Sequence, residues 1–97
     1  MEEHAKKVAE LLRMLANEHR LLILCALMRG QKNVSEIHTY TPNITASGLS
    51  QHLNQLKIAG ILDSKKQGMN VVYWIADERV LSLIDAIKEQ YCGEEAE

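Results

Sequence analysis

Thr45, Ser47, Ser50, Gln51 and Asn54 place hydroxyls and side-chain amides close together in the chain. These groups are short, uncharged and able to donate and accept hydrogen bonds, which suits them to the edges of base pairs in a DNA major groove. The solvated face of an ordinary surface helix would carry Glu and Lys instead. The same stretch holds Ala46, Leu49, Leu53 and Leu56 at spacings of three and four. That spacing predicts a helix over about 45–58 with those four on its apolar face. Thr45 is suited to cap this helix and Gly60 to stop it. His52 neighbours the polar face, as a packing group or as a contact to the nucleic-acid backbone.

Ile61-Leu62 leads into a polar run from Asp63 to Asn70 and then into Val71-Val72-Tyr73-Trp74-Ile75, rich in β-branched and aromatic residues. This is the signal of a β-hairpin over about 61–76, two strands around a Gly-containing turn that bears Lys65 and Lys66. A polar-faced helix followed at once by a basic hairpin is the order of a winged helix-turn-helix, with the helix for the major groove and the hairpin for the flanking backbone. Lys65 and Lys66 are then phosphate contacts, which position a protein on DNA without reading sequence. The plainer reading is that they keep a hairpin tip soluble.

With 97 residues and 46% hydrophobic content, residues 1–97 fit a single domain whose small core would gain from burial against a partner. No apolar run reaches the length of a membrane span, and Met1-Glu2-Glu3-His4 is neither basic nor apolar. A cytoplasmic protein with no membrane partner is expected, its two cysteines reduced. The net charge of −2 is unevenly spread: residues 44–75 carry three basic groups and one acidic, residues 76–97 two basic and seven acidic. The segment expected to face DNA is thus net positive. The weak overall charge implies modest non-specific affinity and reliance on specific contacts and dimer symmetry.

Elsewhere the chain reads as helices. Val8, Leu11, Leu12 and Leu15 form one stripe, and Ala16-Asn17 breaks it, with Asn17 suited to cap the next helix. Leu21 to Met28 is apolar all round, which predicts a helix buried at the centre and ending at Arg29-Gly30. Val34 starts a short helix, and Tyr40-Thr41-Pro42-Asn43 is a turn. Val80, Ile84, Ile87 and Tyr91 make a final stripe, widened by Leu81 and Leu83, that is expected to form a dimer interface with the first helix.

Four segments together, Leu11–Leu27, Val34–Ile37, Ser47–Leu62 and Val71–Ile75, make the chain similar to the ArsR/SmtB winged-helix repressors over nearly its whole length. The resemblance implies a mainly α fold with a small β-hairpin, in the order α-α-α-α-β-β-α, dimeric through first and last helices at about 3–15 and 78–92. It implies a homodimeric repressor of double-stranded operator DNA, released by an inducer. Ser47, Ser50 and Gln51 match the family's base-reading positions. Ala46 stands where relatives often have Gln, so apolar contact with a thymine methyl would replace a hydrogen bond. Thr41-Pro42-Asn43 looks like a one-residue insertion, and Trp74, at a usually polar position, is expected to be partly exposed.

For the inducer, zinc-sensing members of the family use Asp and His on the last helix. Asp77 matches, but Arg79, Gln90 and Gly93 stand at the other positions. Val34 to Tyr40 lacks the Cys-x-Cys of arsenic, lead and cadmium sensors, and His4, His19, His38 and His52 show no local chelate spacing. No metal ligand set is expected. Cys25 in its RLLILC context and Cys92 in a terminal YC resemble the sulfide- and redox-responsive branch, the BigR, HlyU and YgaV type. In that branch the two thiols meet and are bridged directly or through added sulfur. Taken alone, Cys25 reads as a small core hydrophobe and Cys92 as an incidental tail residue. A metal- or metalloid-responsive repressor with a cross-subunit site, and a winged helix that binds protein, stand as alternatives. No nucleophile, base and orienting residue can be grouped, so neither an enzyme nor a cofactor is expected.

Overall fold

A computed structural model gives the element order α1 (Glu2–Leu15), α2 (Glu18–Leu27), β1 (Lys32–Asn33), α3 (Val34–His38), α4 (Ala46–Ile58), β2 (Leu62–Gln67), β3 (Asn70–Ile75) and α5 (Glu78–Cys92). The structure describes residues 1–92 and the side chains of residues 1–91. The Cys92 side chain and the tail from Gly93 to Glu97 lie outside the described residues.

Local chemistry sets the helix ends. The Asn17 side chain accepts from the His19 and Arg20 N–H groups at 2.9 and 3.2 Å, which starts α2. Asn33 and Glu36 form a reciprocal capping box on α3, with both bonds at 2.8 Å. Thr45 Oγ1 accepts from the Gly48 N–H at 3.0 Å and starts α4. Gly60, at φ +83°, ends it. The N–H groups of Gly60 and Ile61 fold back on the carbonyls of Lys57 and Leu56 at 2.9 and 3.0 Å, the paired bonds of a Schellman stop.

β2 and β3 pair antiparallel from Leu62↔Ile75 to Gln67↔Asn70 across the two-residue loop Gly68-Met69. Gly68, first of the two, has φ +65°, as a type II′ hairpin turn requires. The turn is therefore shorter than expected, and Lys65 and Lys66 belong to β2, opposite Val72 and Val71. The sheet also gains a strand that the sequence does not announce. β1 pairs with β3 as Lys32↔Tyr73 and Asn33↔Val72, in the order β1-β3-β2. Two residues are too few to carry a period, so β1 exists only through its partner strand.

Leu15, Ile23, Leu24, Leu27, Ile37, Leu49, Leu53, Leu56, Ile61, Leu62, Val80 and Ile84 form one core drawn from every helix and the first wing strand. Each fully buried Leu or Ile contributes about 1.5–3 kcal/mol. Three expectations change here. Ala46 is exposed rather than part of the buried stripe, which begins at Leu49. α2 is not buried all round: Leu22 is exposed, and Leu21, Cys25 and Met28 are half-buried. Val80 and Ile84 face the chain's own core, at 0% and 2% exposure, so only the outer part of the α5 stripe is available to a partner. That part is Leu81, Ile87 and Tyr91, and on α1 it is Val8 and Leu12. Trp74 is half-buried, as expected for a partly exposed position.

Candidate nucleic-acid interface

With Leu49, Leu53 and Leu56 holding α4 to the core, Ser47, Ser50, Gln51 and Asn54 are turned outward as one exposed strip. Their spacings of three and four keep them in line along the helix. None of these four side chains is tied into a hydrogen bond with another described residue, and the strip carries no charge. Thr45, at its start, is exposed and uses a lone pair on its own helix, leaving its O–H able to donate.

The turn ahead of α4 is held by His38, whose Nε2 lies 2.9 Å from the Ile44 carbonyl and donates to it. This bond spans Thr41-Pro42-Asn43. On the wing, Lys65 and Lys66 are both exposed but alternate across the sheet, so they point to opposite faces. Lys57, at the end of α4, donates to Ser64 Oγ at 2.8 Å and fixes the wing to the helix.

His52 is separated from the other candidates. It is half-buried and faces α2, and its Nδ1 accepts from Arg20 Nε at 3.2 Å. Burial, then the Arg20 charge, then His19 hold its pKa below the ordinary 6.5. Arg20 was not legible as a site residue, although a lone cation opening an apolar helix is a signal that could have marked it.

Cys25 lies half-buried on α2 against the core, and α2 packs on α5, whose last residue is Cys92. Asp77 is committed to Arg79: its carboxylate accepts from the Arg79 backbone N–H at 2.9 Å and from the guanidinium at 3.0 and 2.8 Å. These bonds hold the Asp77 carboxyl below its ordinary 3.8. Among the described residues no group of three or more His, Cys, Asp or Glu side chains is placed to hold a metal ion. No helix among them is long and apolar enough to cross a membrane.

A short helix, a tight turn, an outward polar helix and an antiparallel wing together define a winged helix-turn-helix protein. Residues 17–64 match the model of the arsR family of bacterial regulatory proteins. The chain is 34% identical over 92 residues to the transcriptional activator HlyU of Vibrio cholerae serotype O1, covering 95% of this chain and 84% of HlyU. It is 35% identical over 95 residues to a biofilm growth-associated repressor of Agrobacterium fabrum, covering 98% and 80%. The structure of reduced HlyU from Vibrio cholerae superposes with a TM-score of 0.88, covering 95% of this chain and 96% of that one. A homodimeric winged helix-turn-helix DNA-binding domain from Mycobacterium bovis superposes with a TM-score of 0.76 at 31% identity, covering 90% and 80%. The chain belongs to the ArsR family of DNA-binding transcriptional regulators, and it is not an enzyme.

Proposed function

We propose that this chain is a homodimeric repressor whose α4 strip reads operator DNA, and that bridging of Cys25 to Cys92 by reactive sulfur or an oxidant releases it. The observation that carries the reading is the packing of α2, which holds Cys25, against α5, which ends at Cys92. A bridge there ties the core to the helix whose outer face, Leu81 and Ile87, is offered to a second copy. Two reading helices must match half-sites about one turn of DNA apart, so a small change in dimer packing moves them out of register. A coupling of about 2 kcal/mol lowers operator affinity roughly thirtyfold. Kinship with a redox-defined HlyU structure and with a repressor supports both halves of the reading.

With a polysulfide as inducer, each thiolate takes one sulfur to give a persulfide and a shortened polysulfide. The two persulfides then condense to a trisulfide bridge with loss of hydrogen sulfide. With peroxide, the two thiols give up two hydrogens to form a disulfide, and peroxide becomes water. The test combines intact mass with binding to a duplex that the protein enriches from a random pool. Polysulfide should add sulfur while both thiols disappear, and the duplex should be released. Cys25→Ser and Cys92→Ser should each bind when reduced and fail to release. A folded double variant that still leaves the duplex on treatment overturns the cysteine switch.

A further inference from the structure

Arg20, half-buried in the first turn of α2, reaches two other helices. Its Nη1 donates to the Met14 carbonyl of α1 at 2.9 Å, its Nε to His52 Nδ1 of α4 at 3.2 Å, and its Nη2 to Gln55 Oε1 of α4. His52 is turned away from the strip of Ser47, Ser50, Gln51 and Asn54. A guanidinium is a rigid planar fork, so acceptors on α1 and α4 fix the tilt of α4 against the rest of the molecule. We propose that Arg20 is the positioning residue of the DNA-reading helix, and that it holds α4 in its binding orientation only while His52 is neutral. The proposal rests on α4 being the element that reads DNA.

The chemistry follows from the imidazole. A protonated ring carries N–H donors at both nitrogens, so Nδ1 can no longer accept from Arg20. It also sets a cation against Arg20 and against His19, whose ring centroid lies 5.8 Å away. The groups facing His52 are these two from α2, with Glu18 4.0 Å beyond His19, the uncharged Gln55 on α4, and through Arg20 the Met14 carbonyl of α1. Burial, Arg20 and His19 all favour the neutral ring. The folded chain therefore takes up the His52 proton less readily than the unfolded one, and the arrangement is intact above the ordinary value of 6.5 and lost as pH falls through the lower folded value. The sign is diagnostic. A histidine beside a phosphate strengthens binding when protonated, and this one weakens it.

The probe is the duplex that the reduced protein enriches from a random pool, titrated at fixed ionic strength from about pH 8 to below the pH at which NMR shows the His52 ring to protonate. Wild-type Kd should rise roughly tenfold across this window, whereas His52→Asn, whose Oδ1 accepts without titrating, should hold its own Kd within about threefold. Arg20→Lys, with a single ammonium in place of the fork, should bind about tenfold more weakly at pH 8. Circular dichroism at each pH separates these effects from unfolding. As a second measurement on the wild-type chain, the backbone amide shifts of α4 should follow the His52 ring titration by NMR. Parallel profiles for wild type and His52→Asn, or α4 amides indifferent to His52, overturn the proposal. Acid-strengthened binding that disappears in His52→Asn overturns it too, by making His52 a phosphate contact. Unaltered binding by Gln51→Ala at every pH overturns the reading of α4 on which the proposal stands, a result distinguishable by its independence of pH.

Discussion

Gln51 and Lys65 are both exposed, yet their chemistry separates two kinds of contact. A side-chain amide pairs with an adenine edge at defined angles, while an ammonium on a flexible stem meets any phosphate. Replacing Gln51 with Ala should cost about 1–3 kcal/mol on the enriched duplex and narrow the gap to random DNA. Lys65→Ala should weaken both duplexes alike and reduce the salt slope by about one. Competition binding at several salt concentrations checks the pair, and equal losses on both duplexes for Gln51→Ala count against base reading. Ala46, exposed at the entrance of α4, offers only a methyl group, so its share of any readout is apolar.

The helix ends were the most legible elements, because a cap depends on neighbours in sequence. Asn17, Thr45 and Gly60 behave as their residue types and positions imply. What escaped reading depends on distant chain. β1 exists because β3 lies beside it, and Arg20 matters because α4 presents His52 and Gln55 across a gap of more than thirty residues. For the α4 strip, residue types and spacing gave the four polar positions together, while the orientation of His52 required the packing of α2. Asp77 adds an element-scale prediction: its carboxylate starts α5, and Arg79 holds it ionised below the ordinary 3.8. The stabilisation is present above that pH and lost as pH falls through the lower folded value. Asp77→Ala should lower stability by about 1 kcal/mol at neutral pH, and the deficit should shrink toward pH 3 in denaturant melts.

At the scale of the molecule, α1 and α5 show which apolar groups the single chain leaves uncovered. Ile84 is 2% exposed and Ile87 43%, although both belong to one stripe. Ile84→Glu should unfold the chain by burying a charge, whereas Ile87→Glu should keep the fold and give monomers by sedimentation. A folded Ile87→Glu dimer would remove α5 from the interface. Asn33 has a further consequence. This residue closes β1 against Val72 and also caps α3 with Glu36, so one peptide unit belongs to the wing sheet and to the helix-turn-helix. A residue added just after Asn33 would part the two roles, so that the strand pairing and the capping box could no longer be met by one residue. One added at Gly68-Met69, where Met69 is 96% exposed, would disturb only a turn. Length variation among natural or engineered forms of this chain should accordingly collect at the wing tip and be excluded from the joint at Asn33, which a library of single-residue insertions scored for folding would map directly.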